Sequence, residues 1–224
     1  MLYIGRNLFE ALRRLRDRQE HPRLWADAVY INQIDSNERT EQIAQMGTIY
    51  SSASRTLVWL GEDFDGSDGA LCMDFFAKYA SLQSRKPNVS ASVLYNNAVE
   101  NERPGCPKLN VAMLQTFAQR AWYSRRWVSQ EIMNAKEGKV LLGGLEVPWP
   151  QLRDTCTDYR TLHLGVLRIC QDTHREGREA RSNMAQGRIL RYPRLFDDLK
   201  CQDPRDRIAA LLGRDLILSE AYTI

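Results

Sequence analysis

An α/β protein is what this sequence predicts: an open, mainly parallel sheet flanked by helices, extended at its C-terminal end by further helices. Three observations carry that reading. Leu24–Ile31 (LWADAVYI) is a nearly unbroken apolar run, interrupted by Asp27, which is the pattern of a strand covered on both faces. Arg55–Leu60 (RTLVWL) is a second such run, stopped by Gly61. Between them Ile43, Met46, Gly47 and Tyr50 recur at helical intervals, with Ala53 one turn beyond. Strand, helix and strand of these lengths form a right-handed βαβ unit, and therefore a parallel pair.

Taken in order, Met1–Ile4 are strand-like, and Asn7 is placed to cap a helix from Leu8 to about Gln19. Leu8, Ala11, Leu12 and Leu15 share one face of it, while Arg13, Arg14, Arg16 and Arg18 lie mostly off that face and read as solvated. Gly5-Arg6-Asn7 is too short to cradle a phosphate. Asn32 and Gln33 close the first strand. Asp35 then takes the N-cap with Glu38 three residues on, the capping-box spacing with Asp in place of Ser or Thr. Ser67 is placed to cap a helix over Asp68–Gln83, whose Leu71, Phe75, Tyr79 and Leu82 share a face. Lys86–Asn110, punctuated by Pro87, Pro104, Gly105 and Pro107, reads as a long loop.

Val111–Ala135 returns to helix with a break near Trp122-Tyr123-Ser124, Ser124 being a cap for its second half over Arg125–Ala135. Lys139–Leu142 is a short strand, and Leu145–Val147 pairs back on it across Gly143-Gly144. Pro150 sits in the first turn of a helix to about Arg175. Glu176–Arg191 is basic and Gly-punctuated but carries no interleaved aromatics, so it reads as a solvated linker rather than a strip for nucleic acid. Tyr192–Lys200 and Arg205–Leu212 are short helices, the second with Asp203 at its N-cap and Pro204 at N1. The division expected is a main domain over residues 1–150 and a helical extension over 151–224 packed on it.

Composition narrows the function classes. With 43% hydrophobic residues in 224, the chain can bury a substantial core. Its net charge of +3, from 31 basic and 28 acidic residues, gives no electrostatic case for nucleic acid or an anionic membrane. The five cysteines (Cys72, Cys106, Cys156, Cys170, Cys201) form no CxxC pair, and His21, His163 and His174 are scattered. No metal site is expected, and free thiols in a reducing compartment are the simpler reading. MLYIGRN turns polar too soon for a signal peptide, and no apolar run approaches ~20 residues. A soluble, cytoplasmic chain is expected.

WADAVYINQ, NERTEQIAQMGTIYSSA and TLVWLGE, with the later blocks Arg120–Gly144 (RAWYSRRWVSQEIMNAKEGKVLLGG) and Asp203–Arg214 (DPRDRIAALLGR), resemble in order the blocks of the fungal heterokaryon-incompatibility (HET) domain. Tyr30 stands where that family has Cys, and Ala209 and Arg214 where it has Tyr and Leu. The resemblance implies a first strand similar to YxALSYxWG upstream of the LYIGRNLFEALRRLR block. That strand is absent, so the domain reads as N-terminally truncated unless another segment fills the slot. Loss of a central strand would leave apolar edges.

The order of elements further resembles the flavodoxin-like TIR domain. TIR domains that cleave NAD carry a glutamate in a segment similar to SxWCxxE. Ser124, Trp127 and Glu131 follow it loosely, with one more residue between Ser and Trp and with Val128 in place of Cys. This implies that Glu131 is the catalytic carboxylate and that NAD is a substrate, with no resident cofactor. The NAD crevice would then lie beyond the carboxyl ends of the strands, with Asn32, Gln33 and Asp35 just past one end, Glu62 past another and Asp27 pointing to it from inside the first strand. Asp27, Asn32, Gln33 and Trp127 would bind NAD there. Breaking the nicotinamide–ribose bond passes through an oxocarbenium-like state that a carboxylate stabilises, and nicotinamide leaves without a dedicated acid.

Plainer readings stand beside these. Glu131 can pair with Arg125 or Arg126 on its own helix. Asp27 can be a buried carboxylate satisfied by backbone or arginine. Asn32 and Gln33 can be turn-formers, and Trp25, Trp59 and Trp127 core residues. No Ser–His–Asp or Cys–His set can be assembled. The resemblance implies a role in fungal nonself recognition and programmed cell death. It would act either by NAD depletion or as a non-catalytic module through self-association or contact with other incompatibility proteins, unless the truncated copy is inactive.

Overall fold

Three strands form one small mixed sheet in the order β1-β2-β3: β1 (Thr56–Trp59), β2 (Gly138–Leu142) and β3 (Leu145–Pro148). The computed structural model describes residues 4–16, 23–63, 68–85, 109–125, 127–158 and 200. β1 runs parallel to β2, with Val58 opposite Val140, and β2 runs antiparallel to β3, with Val140 opposite Val147. Pairing continues past both ends of β1: Thr56 N donates to Glu137 O at 2.7 Å, and Leu60 N to Leu141 O at 2.9 Å. The hairpin expected over Lys139–Val147 is present, closed by Gly143-Gly144.

Around the sheet lie α1 (Arg6–Arg16), α2 (Asp27–Tyr30), α3 (Ser36–Ser52), α4 (Asp68–Arg85), α5 (Val111–Ala118), a 3-10 turn (Ala121–Ser124), α6 (Val128–Met133) and α7 (Trp149–Asp158). The N-cap read at Asp35 is present: its Oδ1 accepts from Asn37 N at 2.9 Å and Glu38 N at 3.2 Å. Glu38 reaches back to Asn32 N at 3.1 Å rather than to the N–H of Asp35. Asn110 caps α5 through Met113 N at 3.0 Å, a role its place at the end of a Pro-rich stretch concealed. The break expected near Trp122-Tyr123-Ser124 is the 3-10 turn.

Four expectations are corrected. Leu24–Ile31 contains no strand: Leu24–Ala26 are irregular and Asp27–Tyr30 form one helical turn. Asp27 Oδ1 accepts from Ala28 N at 2.8 Å, Ala26 O accepts from Val29 N and Tyr30 N, and within Leu24–Ile31 Ile31 alone is buried. A short apolar run does not distinguish strand from helical turn, and an acid whose side chain accepts the next backbone N–H at the start of the turn tips the choice. The parallel partner of β1 is therefore β2, and the described sheet has one parallel and one antiparallel pair instead of being mainly parallel. Asn7 lies inside α1, not at its cap. Ser124 does not cap α6; its Oγ donates to Ala121 O at 2.9 Å, and α6 starts at Val128. The readings for Ser67, the loop to residue 108, the far part of the helix after Pro150, and the stretches 159–199 and 201–224 lie outside the described residues.

The core forms where α4 packs on α5, α7, β2 and β3. Val58, Val140, Leu142 and Val147 from the strands meet Met73, Phe76 and Tyr79 of α4, Phe117 of α5 and Leu152 of α7, all buried. α3 packs instead against α6. At the start of β2 the backbone passes close to both α6 and α7: a Cβ on Gly138 would sit 2.7 Å from Ile132 Cδ1 and 2.8 Å from Trp149 Cβ. The Trp149 Cβ cannot swing aside, so Gly138→Ala is expected to cost about 1–3 kcal/mol in denaturant unfolding.

α1 is held by one of its supposedly solvated arginines. Arg14 Nε and Nη2 donate to the two oxygens of Glu62 at 2.9 and 2.8 Å, and the Glu62 side chain is only 8% exposed. The Arg14 hydrogen bond holds the Glu62 carboxyl below its ordinary range, with the charges of Arg14 and Arg13 adding to that and burial opposing it. Its stabilisation is full above the unfolded carboxylate range and is lost as pH falls through the lower folded value. Arg14→Ala is expected to cost about 1–3 kcal/mol near neutral pH, because it leaves a buried carboxylate short of donors, and less in acid. Thermal melts of both proteins at two pH values check this.

Candidate active site

Glu131 sits in α6, and its carboxylate is almost covered, with 13% of the side chain exposed. The 3-10 turn positions its neighbours. Trp122 Nε1 donates to Oε2 at 3.2 Å, and Arg125 Nη2 lies 3.5 Å from Oε1. The pairing with Arg125 was legible from spacing. The indole was not, because Trp122 reaches Glu131 only through the tight turn that reverses the chain. Trp122 is itself buried, with its ring edge-on to Trp149 at 5.7 Å between centroids.

Burial pushes the Glu131 carboxyl up, Arg125 and the Trp122 bond pull it down, and the Asp27 carboxylate raises it further. Tyr50, near the end of α3, feels the same field: burial pushes its phenol up, and Glu131 and Asp27 reinforce this, so it stays protonated at every physiological pH. Trp25 stands edge-on to Tyr50 with centroids 5.8 Å apart. Asp27 of α2, Tyr50 of α3, Glu131 of α6 and Trp122 of the 3-10 turn, with Trp25 just before α2 and Arg125 just after the turn, thus bring two carboxylates, a neutral phenol, an arginine and aromatic rings to one neighbourhood. Tyr50 gives no sequence signal of its own, since a tyrosine at helical spacing reads as core.

The other sequence-selected residues distribute unevenly. Asp27 lies within electrostatic range of Glu131 and Tyr50. Gln33 is exposed and donates from Nε2 to Asp27 O at 3.3 Å. Asn32 is exposed, and its Oδ1 accepts from Ile34 N at 3.2 Å within the turn between α2 and α3. Trp127 is partly buried and accepts the Glu131 N–H on its carbonyl at 3.2 Å, as the first turn of α6 requires. Glu62, past the end of β1, is taken up by Arg14. Tyr50 and Glu131 lie in the helices that hand over to the amino ends of β1 and β2. The group therefore gathers on that side, not beyond the carboxyl ends where a doubly wound sheet takes its ligands.

The chemistry available here is electrostatic. A desolvated carboxylate with a second one nearby can stabilise developing positive charge, and flat aromatic faces suit a ring. Among the described residues no group of three His, Cys, Asp or Glu can hold a metal ion. Cys72 is fully buried and its thiol is pushed up to about 12 by burial, which makes it inert. Among the described residues no helix is long and apolar enough to cross a membrane.

Comparison with known proteins bears on the family. A family model described as "Heterokaryon incompatibility protein (HET)" matches residues 1–131. The "Heterokaryon incompatibility protein 6, OR allele" of Neurospora crassa is 42% identical over 180 residues, covering 70% of this chain and 26% of the relative. The chain thus spans about a quarter of that relative's length. No solved structure matches the chain. Since the family model takes in 131 of the 224 residues, more than half, the chain belongs to the heterokaryon incompatibility (HET) family.

Proposed function

We propose that this chain acts in heterokaryon incompatibility and that its effector step is cleavage of the nicotinamide–ribose bond of NAD at Glu131. Membership of the HET family and a relative named for incompatibility support the first half. One observation carries the second: Glu131 is a nearly covered carboxylate, oriented by Trp122 and Arg125 and within the field of the Asp27 carboxylate. The loose match of Ser124, Trp127 and Glu131 to the TIR segment points the same way. In this mechanism nicotinamide leaves with the bonding electron pair, Glu131 stabilises the oxocarbenium-like state, and water adds to the anomeric carbon, giving ADP-ribose and releasing a proton to solvent. Asp27 adds negative potential, and Asn32, Gln33 and Trp127 contact the dinucleotide. Self-association and cell death belong to the same proposal.

A second reading has an observation of its own. Both Glu131 oxygens have partners, which suits a structural carboxylate in a non-catalytic module acting through protein contacts. Expressing the chain and its Glu131→Gln variant in a fungal host separates the two. The proposal expects growth arrest with falling cellular NAD for the unaltered chain, and neither for the variant. Arrest by both proteins with constant NAD supports the contact mechanism instead.

A further inference from the structure

Lys200 lies far outside residues 1–131, yet it docks beside the candidate site. Its N–H donates to Ser124 O at 2.7 Å, and Lys200 pairs with Arg125 as an isolated parallel bridge. Arg125 is the residue whose guanidinium lies 3.5 Å from the Glu131 carboxylate, and it is itself 49% exposed. Among the described residues, Arg125 N also donates to Trp122 O at 3.1 Å, which ties its backbone to the 3-10 turn. A half-exposed arginine on a short turn has many rotamers, and its charge counts at Glu131 only while its backbone is held.

We infer that Arg125 is a positioning residue for Glu131, and that the backbone pairing of Lys200 holds it there, so that a residue beyond the family-matched ones governs how that carboxylate is paired. The inference rests on the reading of Glu131 as the reactive carboxylate, but the coupling itself is separable from turnover. Among the described residues, three groups act on Glu131: Arg125, the Trp122 indole and Asp27. Asp27 on α2 raises its proton affinity, the Trp122 indole lowers it, and Tyr50 on α3 stays neutral beside it. Among the described residues Arg125 is the cation that favours ionised Glu131, so freeing it raises the carboxyl further and moves any acid limb of activity to higher pH.

The test is a carbon NMR titration of the Glu131 carboxyl, in full chain labelled at glutamate and assigned with Glu131→Gln. Arg125→Met is expected to raise the midpoint by at least about half a pH unit, Arg125→Lys to restore part of it. Lys200→Pro, which removes the N–H donor, is expected to raise it in the same direction. Lys200→Ala, which keeps the donor, is expected to leave it unchanged. Equal titrations for the proline and alanine variants, or no shift for Arg125→Met, would overturn the inference. Hydrogen exchange at the Lys200 amide of the unaltered chain needs no variant to fold: protection is expected, and exchange at the free-peptide rate overturns the docking. If NAD is never cleaved while these shifts appear, the catalytic reading fails and the coupling stands.

Discussion

Glu131→Gln is expected to lower NAD turnover by about 10²–10³-fold, the range for removing one preorganised charge from a transition state. The same substitution should leave the fold intact and make it more stable, not less, at neutral pH. The sign follows from burial. Glu131 has its carboxyl raised by desolvation, so the folded state holds a proton more tightly than the unfolded one. Stability is then highest in acid, falls as pH rises from the ordinary carboxylate range through the raised folded value, and stays lowered above it. Glutamine carries no such penalty and keeps an acceptor for Trp122 Nε1. Denaturation midpoints of the two proteins should therefore converge in acid and separate towards neutrality, with the variant higher. A residue kept at a cost in stability is what a functional carboxylate looks like, whereas a purely structural ion pair with Arg125 would make the variant less stable.

Phe76→Ala is expected to remove about 3–5 kcal/mol, the largest stability loss of any substitution considered. Phe76 is 1% exposed and sits at the centre of the α4 face, its ring 5.3 Å from Phe117 and 5.7 Å from Phe75. Those neighbours belong to α4 and α5, which pack on each other while α4 also packs on the sheet, so the cavity has little room to collapse. Against a typical total of about 5–15 kcal/mol the loss is a large share, readable as a lower midpoint in urea with unchanged slope. Ile34, 95% exposed, is the matching control, and Ile34→Ala should change stability by no more than about 0.5 kcal/mol.

The parts of this molecule that local chemistry specifies were legible in the sequence. Arg55–Leu60 announced a buried strand because apolar residues fill it and a glycine ends it. The hairpin followed from two apolar runs joined by Gly143-Gly144, and α3 from Asp35 and the spacing behind it. Leu24–Ile31 misled because eight apolar-rich residues fit a strand or a turn equally well, and the hydrogen bond from Ala28 N to Asp27 favours the turn. The site was half legible. Glu131 and Arg125 lie on one short stretch and could be paired by spacing. Tyr50 joins them only because α3 packs on α6, and Trp122 only because a 3-10 turn brings it back. No period in the sequence encodes contacts of that kind.

The most direct test of the account is nicotinamide release from NAD by the purified chain, measured beside Glu131→Gln at matched folded concentration. Release by the unaltered chain, and a rate lower by about a hundredfold or more in the variant, is the predicted result. Equal rates for the two proteins would contradict the assignment of Glu131.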